Sequence, residues 1–300
     1  MRSQVRKYKN MVVATVAAAI LILSVIGYIT DAISDLKEAL FPGQITNKNS
    51  YVEMFDVGQG DSILIYSGKK AALIDTGIKT YADDIIRELK DKGIKSLDLL
   101  LITHNHNDHM GGIVPLTERI KVKKIIVPDL SKTDERTDKM QTAMANVKRG
   151  GGQSTVAERG MSFKIGDFDI DVIGCYYDEK DENDRSIITK AKIGKWKFLF
   201  MGDAQDPAER RLIGDGADVR CDVLKLGHHG SMYGTSEEFL KASSPSFAMI
   251  SCGRGNRYSH PHDVVLLRLK EAGVQFWRTD TSGNITFDIT EKEITVSTEK

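Results

Sequence analysis

Cysteine is scarce in this chain: Cys175, Cys221 and Cys252 lie far apart and are odd in number among 300 residues. No disulfide framework can hold such a fold, and at most one bridge forms within the chain. With no CxxC pair, buried free thiols are the expected state. Net charge is missing as well, since 42 Lys and Arg face 42 Asp and Glu. That balance excludes a global attraction for nucleic acid, so any polyanion has to be gripped by a local patch. Repeats at solenoid spacing are absent. What remains is 41% hydrophobic and 28% charged, values that argue against both a disordered chain and a many-span membrane protein.

One apolar run breaks this pattern. Met11 to Ile29 carries no charge, and its length of about 19 residues is enough to cross the hydrocarbon core of a bilayer. Arg2, Arg6, Lys7 and Lys9 precede it, while Asp31, Asp35 and Glu38 follow, so the positive-inside rule puts the N-terminus in the cytosol and everything after Thr30 outside. A cleaved signal peptide is the alternative, but the run exceeds the usual apolar region and no clear cleavage site follows. The expected organisation is a cytosolic tip and single-pass anchor over 1–30, a linker over 31–50 and one catalytic domain over 51–300.

Within that domain β-forming runs come at Tyr51 to Val57, Asp61 to Tyr66 and Ala71 to Asp75. Tyr81 to Lys92 has helical spacing, and the continuous apolar run Leu97 to Thr103 reads as a strand covered on both faces. Further strands are expected at Lys124 to Val127, Phe168 to Ile173, Ser186 to Ile193, Lys197 to Met201, Asp222 to Leu226, Ser246 to Ile250, Val274 to Trp277, Asn284 to Asp288 and Glu293 to Ser297. A helix is expected over His262 to Ala272, and the polar stretch Ser131 to Gly160 predicts a helix and a mobile loop. Strands alternating with helices, together with hairpin-like pairs, indicate an α/β layered fold whose sheet is not purely parallel.

All seven histidines fall in three clusters: His104, His106 and His109; His228 and His229; His260 and His262. The first follows the buried apolar strand, in the loop Thr103-His104-Asn105-His106-Asn107-Asp108-His109, where alternate side chains can converge. His104 and His106 can serve one ion, Asp108 and His109 a second, and Gly111 and Gly112 let the next helix pack close. Neutral imidazole with carboxylate is the donor set for zinc and its first-row neighbours, and a position left to water makes such a site catalytic.

This run resembles the HxHxDH signature of the metallo-β-lactamase superfamily, which implies an αβ/βα sandwich holding two divalent ions, Zn or Mn. Under that resemblance Asp75, in Leu73-Ile74-Asp75-Thr76-Gly77, braces the metal loops. Asp203 resembles the carboxylate that bridges both ions. Lys225-Leu226-Gly227-His228 resembles the strand ending in a histidine ligand, with His228 preferred to His229.

The segments Phe55 to Ser62, Asn183-Asp184-Arg185-Ser186, His228-His229-Gly230-Ser231 and Ser259-His260-Pro261-His262 are more specifically similar to the soluble domain of ComEC-type DNA-uptake proteins, over about Tyr51 to Thr290. Two departures matter. A single membrane segment stands where those transporters have a multi-span channel, so this chain does not itself conduct DNA. No histidine lies between His109 and His228, so the first ion has only His104, His106 and Asp203 unless Asn183 or Asp184 adds an oxygen. Such a site binds more weakly and tolerates Mn²⁺ better than a three-histidine zinc site.

The remaining candidates are Lys225, either a phosphate partner or a solvated edge lysine, and His260, either a general acid or phosphate donor or a helix-capping residue. With Asp108 they make the candidate catalytic set, and His229, Ser231 and Asn256 are candidates for substrate or supporting contacts. The expected function is an extracytoplasmic phosphodiesterase or nuclease acting on single-stranded DNA or a related polymer. The alternatives are a teichoic-acid phosphoesterase, a lactamase-like amidase and a non-catalytic, metal-stabilised surface protein that binds DNA or a cell-wall polymer.

Overall fold

A computed structural model describes Ile22 and residues 45–47, 49–130 and 135–300. Apart from Ile22, the expected anchor Met11 to Ile29 lies outside the described residues. Among those described, no helix is long and apolar enough to cross a membrane. Asn47–Lys300 forms one unit.

Its first half supplies β1 (Ser50–Met54), β2 (Ile63–Ser67), β3 (Lys70–Ile74), β4 (Ser96–Leu97), β5 (Leu99–Leu101), β6 (Lys121–Val122), β7 (Lys124–Val127) and β8 (Gln153–Val156). The second half supplies β9 (Ser162–Ile165), β10 (Phe168–Gly174), β11 (Ile188–Ile193), β12 (Trp196–Phe200), β13 (Val223–Lys225), β14 (Phe247–Ile250) and β15 (Gln275–Arg278). The last strands, β16 (Ile285–Ile289) and β17 (Ile294–Thr298), return to the first sheet. Among the described residues one sheet runs β17-β16-β1-β2-β3-β5-β7-β8, another β15-β14-β13-β12-β11-β10-β9, and β4 pairs with β6. Each large sheet is parallel through one part, β3-β5-β7-β8 and β12-β13-β14-β15, and antiparallel through the rest. This is the mixed arrangement expected of the sequence.

Helices cover the outer faces because their apolar stripes match those faces. In α1 (Ala82–Asp91) the buried residues are Ala82, Ile85, Ile86 and Leu89. Of these, Ile85, Ile86 and Leu89 pack with Leu64, Leu73, Leu100 and Ile125 of the first sheet. The second sheet is covered in the same way by α5 (Asp206–Gly214), α6 (Glu237–Ser243) and α7 (Asp263–Glu271), through Leu212, Phe239, Val265 and Leu269. Between them in the chain lie α2 (Asn107–Met110), α3 (Ile113–Arg119) and α4 (Glu135–Arg149). The inner faces meet through aromatic residues: Phe287 of β16 lies 6.3 Å from Phe198 of β12 and 5.9 Å from Trp277 of β15, both edge to face. The layers are therefore helix, sheet, sheet, helix.

One expectation is corrected here. The polar stretch after α4 is not a mobile loop: Gln153–Val156 is β8, paired in parallel with β7. Its side chains are mostly exposed, but its backbone pairs with β7 along one side, so polarity at a sheet edge concealed a strand.

Candidate metal centre

The parallel strands of both sheets end at one place, and the loops leaving β3, β5, β12, β13 and β14 carry the polar residues there. This is where open α/β sheets bind ligands. Asp75 follows β3 with φ +61°, an uncommon conformation for a residue with a side chain. Its carboxylate accepts from the Thr103 backbone N at 2.8 Å and the Thr103 Oγ1 at 2.7 Å, and it meets His109 Nδ1 at 2.7 Å. It thereby ties the end of β3 to the histidine loop after β5.

Close packing completes this loop. A methyl group on Gly112 would lie 2.5 Å from Thr76 O, so the glycine admits the start of α3. Gly202, at φ +55°, would carry a methyl group 2.9 Å from Ser186 Cβ. That turn aims Asp203 inward, with its N–H donating to Ser186 Oγ at 3.0 Å.

Each central imidazole has one nitrogen held from outside and the other facing inward. His109 Nδ1 is held by Asp75, while Nε2 lies 3.2 Å from Asp203 Oδ1. His229 Nδ1 lies 3.0 Å from the Ser251 carbonyl, and Nε2 faces Asp108 at 3.6 Å and Asp203 at 3.5 Å. His106 Nε2 lies 3.1 Å from Glu182 Oε2, and its Nδ1 is 3.0 Å from His104 Nε2. His104 Nδ1 lies 3.1 Å from Thr103 Oγ1. Outer partners of this kind fix the tautomer and aim of metal-binding histidines.

The inward atoms form two groups, Asp108, His109, Asp203 and His229 in one and His104, His106 and Asp203 in the other, each with its atoms within 4.8 Å of one another. Asp203 is the residue that belongs to both. Three tests favour cations here. His109 Nε2, His229 Nε2, Asp203 Oδ1 and Asn183 Oδ1 are buried without a hydrogen-bond partner, which is costly unless something else satisfies them. The donors are nitrogen and oxygen, suited to zinc and manganese. Burial works against charge on His109 and His229, yet Asp203 and the other carboxylates hold both well above the usual histidine range. Conversely, burial would raise Asp203, but His109 and His229 hold it well below the usual carboxylate range. The carboxylates of the cluster stabilise positive charge at the centre, whether a proton on an imidazole or a bound cation.

Asp61, Asp75 and His109 also lie close together, but Asp61 Oδ2 is paired with the Lys225 ammonium and Asp75 with Thr103. These carboxylates support the site rather than open onto it.

A cavity of ≈ 320 Å³ opens over the centre, with His106, Asp108, Asp203 and His229 in its lining. Arg136 from α4 and Asn183 line it as well, together with Gln59, Tyr258 and His260. Burial, followed by the neighbouring histidines, brings His260 down to about 4. That direction favours the neutral imidazole, so of its expected roles it suits a hydrogen-bonding group at a substrate oxygen better than a general acid.

Other expected residues fall elsewhere. His228 also lines the cavity, but its Nδ1 lies 3.1 Å from Gln205 Oε1, and it is His229 that joins the donor group with Asp108 and His109. His228 Nε2 also lies 3.9 Å from Asp203 Oδ2, but the residue that joins the donor group is His229, not the expected His228; both have positive φ, 44° and 56°. Lys225 is fully buried, donating to Gly202 O at 2.8 Å and paired with Asp61. Neither a phosphate contact nor a solvated edge describes it, because β13 is an inner strand. Asp184 Oδ1 accepts from Gln205 N at 2.8 Å and joins neither donor group. Ser231 is buried and accepts from Tyr233 N at 3.4 Å, and Asn256 is spent on its own loop.

Sequence reasoning missed Asp61, Glu182, Arg136 and Ser251. Asp61 lay inside the recognised segment Phe55 to Ser62 and Glu182 just before Asn183, whereas nothing near Arg136 or Ser251 pointed to them.

The fold and the centre define a metal-dependent hydrolase of metallo-β-lactamase type, and the chain belongs to the metallo-beta-lactamase superfamily, whose family model matches residues 55–254. Among its relatives is ComE operon protein 3 of Bacillus subtilis, 32% identical over 255 residues, covering 79% of this chain and 32% of that one. The expected kinship with ComEC-type proteins is met there, and the chain spans about a third of that relative's length. Exodeoxyribonuclease WalJ of Streptococcus pneumoniae is 28% identical over 178 residues, covering 57% of this chain and 62% of its own. Among solved structures, the metallo-beta-lactamase fold protein YhfI from Bacillus subtilis shares the fold, with a TM-score of 0.55 and 13% identity, over 80% of this chain and all of that one.

Proposed function

We propose that this chain is a two-metal phosphodiesterase that cleaves DNA or a closely related phosphodiester polymer. The observation that carries the reading is the pair of donor groups sharing Asp203 beneath an open cavity. Two divalent ions supply Lewis acidity and water activation near neutral pH, which suits in-line displacement at phosphorus. His104 Nε2, His106 Nδ1 and Asp203 would hold one ion, with Asn183 Oδ1, buried without a hydrogen-bond partner in the cavity lining, a candidate for a further oxygen. Asp108, His109, His229 and Asp203 would hold the other. Arg136 puts a cation in the cavity wall, paired there with Glu182 at 2.8 Å, where a phosphate oxygen can be met. Neutral His260 offers a hydrogen bond to a substrate oxygen. Kinship with an exodeoxyribonuclease adds weight to nucleic acid as substrate.

The full chain, loaded with Mn²⁺ or Zn²⁺ and assayed at low salt, is expected to cleave a chromogenic phosphodiester and single-stranded DNA. It should lose both activities with chelator and be far slower on a chromogenic β-lactam. Low salt matters because a chain of zero net charge has little electrostatic affinity to spare for DNA. β-Lactam turnover without diesterase activity would sink this reading, and inactivity with two ions bound would favour a binding protein.

The site of action we propose is outside the cytosol, on an anchor at Met11 to Ile29. Support comes from the apolar run and the charges flanking it. Protease added to intact cells should then remove the domain; protection until lysis would refute the orientation.

A further inference from the structure

The cavity lining is polar and histidine-rich, with one exception. Tyr258 is 47% exposed, lines the cavity, and stacks on His260 with ring centroids 5.6 Å apart at 25°. Its placement is built rather than loose. Asn256 Oδ1 accepts from the backbone N of both Tyr258 and His260, at 3.1 and 3.0 Å, while Asn256 Nδ2 donates to Gly253 O and His260 O at 2.9 and 2.6 Å. Gly253 N in turn donates to Gln59 Oε1 at 3.1 Å. One asparagine thus closes the 253–260 loop and holds an aromatic ring at the mouth of the centre, where packing of the protein interior does not require one.

We infer that Tyr258 is the platform on which an unpaired nucleobase of the scissile strand stacks, an inference that rests on the diesterase reading above. The ring already accommodates a planar group: the guanidinium of Arg257 lies 4.8 Å from its centroid and donates to its hydroxyl at 2.6 Å. Arg257 is itself exposed, so a base can take its place. A flat aromatic face recognises any base without reading sequence, and base stacking of this kind is a large part of how proteins grip single strands. The need is greater here because the balanced charge leaves phosphate attraction weak. A paired base inside a duplex cannot present its face to the ring, so the platform selects unpaired strands or strand ends.

Fluorescence anisotropy with the full chain tests this, using a short phosphorothioate oligothymidylate that resists turnover and the same backbone made abasic. The native protein should bind the base-bearing strand more tightly. Tyr258→Ala should weaken that binding about tenfold, abolishing the preference over the abasic strand. Tyr258→Phe and Tyr258→Trp, which keep a ring, should retain it and guard against a fold defect in the alanine variant. No preference in the native protein, an equal loss on both strands, or unchanged binding by Tyr258→Ala would each overturn the inference. Cleavage of a base-free dialkyl phosphodiester, measured separately, reports on the diesterase reading itself.

Discussion

Asp203→Ala is expected to remove metal from both donor groups at once, because its carboxylate is the member they share. Elemental analysis should show the native chain with two ions and this variant with close to none, whereas His104→Ala should lose chiefly one. Diester cleavage should fall by about a thousandfold or more, since electrostatic stabilisation of the developing charge is commonly the largest part of such catalysis. Asp203→Asn keeps the shape and one neutral oxygen and should recover metal only in part. Two ions retained by Asp203→Ala would show that the bridge is wrongly assigned.

Lys225→Met should have the largest effect on stability. The ammonium is wholly buried and sits between Gly202 O at 2.8 Å, the Asp61 carboxylate, and Asp203 Oδ1 at 4.0 Å. Burial raises Asp61, but Lys225, with His229 and His109, brings it below the usual carboxylate range. Removing one member of a buried pair costs about 3–5 kcal/mol because the other charge is stranded. For a domain of this size that is a fall of roughly 10 °C in unfolding temperature. Pairing it with Asp61→Asn should recover a substantial part of the loss. Thermal unfolding of the metal-free variants decides the matter: if Lys225→Met melts with the native chain, the pair carries no stability.

Much of the fold could be read from pattern because burial dictated the pattern. The stretch Leu99 to Ile102 is apolar throughout since β5 lies between neighbouring strands with covered faces, and α1 shows its stripe because one side faces the sheet. β8 and β9 could not be found this way: Gln153–Val156 and Ser162–Ile165 sit toward sheet edges, where the backbone pairs but few side chains are buried. At the centre, the spacing of His104, His106, Asp108 and His109 announced itself, since one loop supplies all four. His228 and His229 are adjacent, and only the handedness of their turn decides which faces inward. Lys225 was misread because its partner Asp61 lies far away in sequence, and long-range charge pairing leaves no local trace. Asp75 needed the family resemblance, and the contact with His109 then supplied its physical reason.

The donors of the centre come from opposite halves of the sandwich: His104, His106, Asp108 and His109 leave the first sheet, Asp203 and His229 the second. Neither half carries a complete set, so chelation and docking of the sheets are one thermodynamic event. Metal held by these donors would bind the native state far better than a chain with the halves parted, and would therefore stabilise by mass action, by about 4 kcal/mol at a thousandfold excess over its dissociation constant. Ions so held would be a rivet across the interface, and the free metal concentration around the protein would set how firmly its two halves are joined.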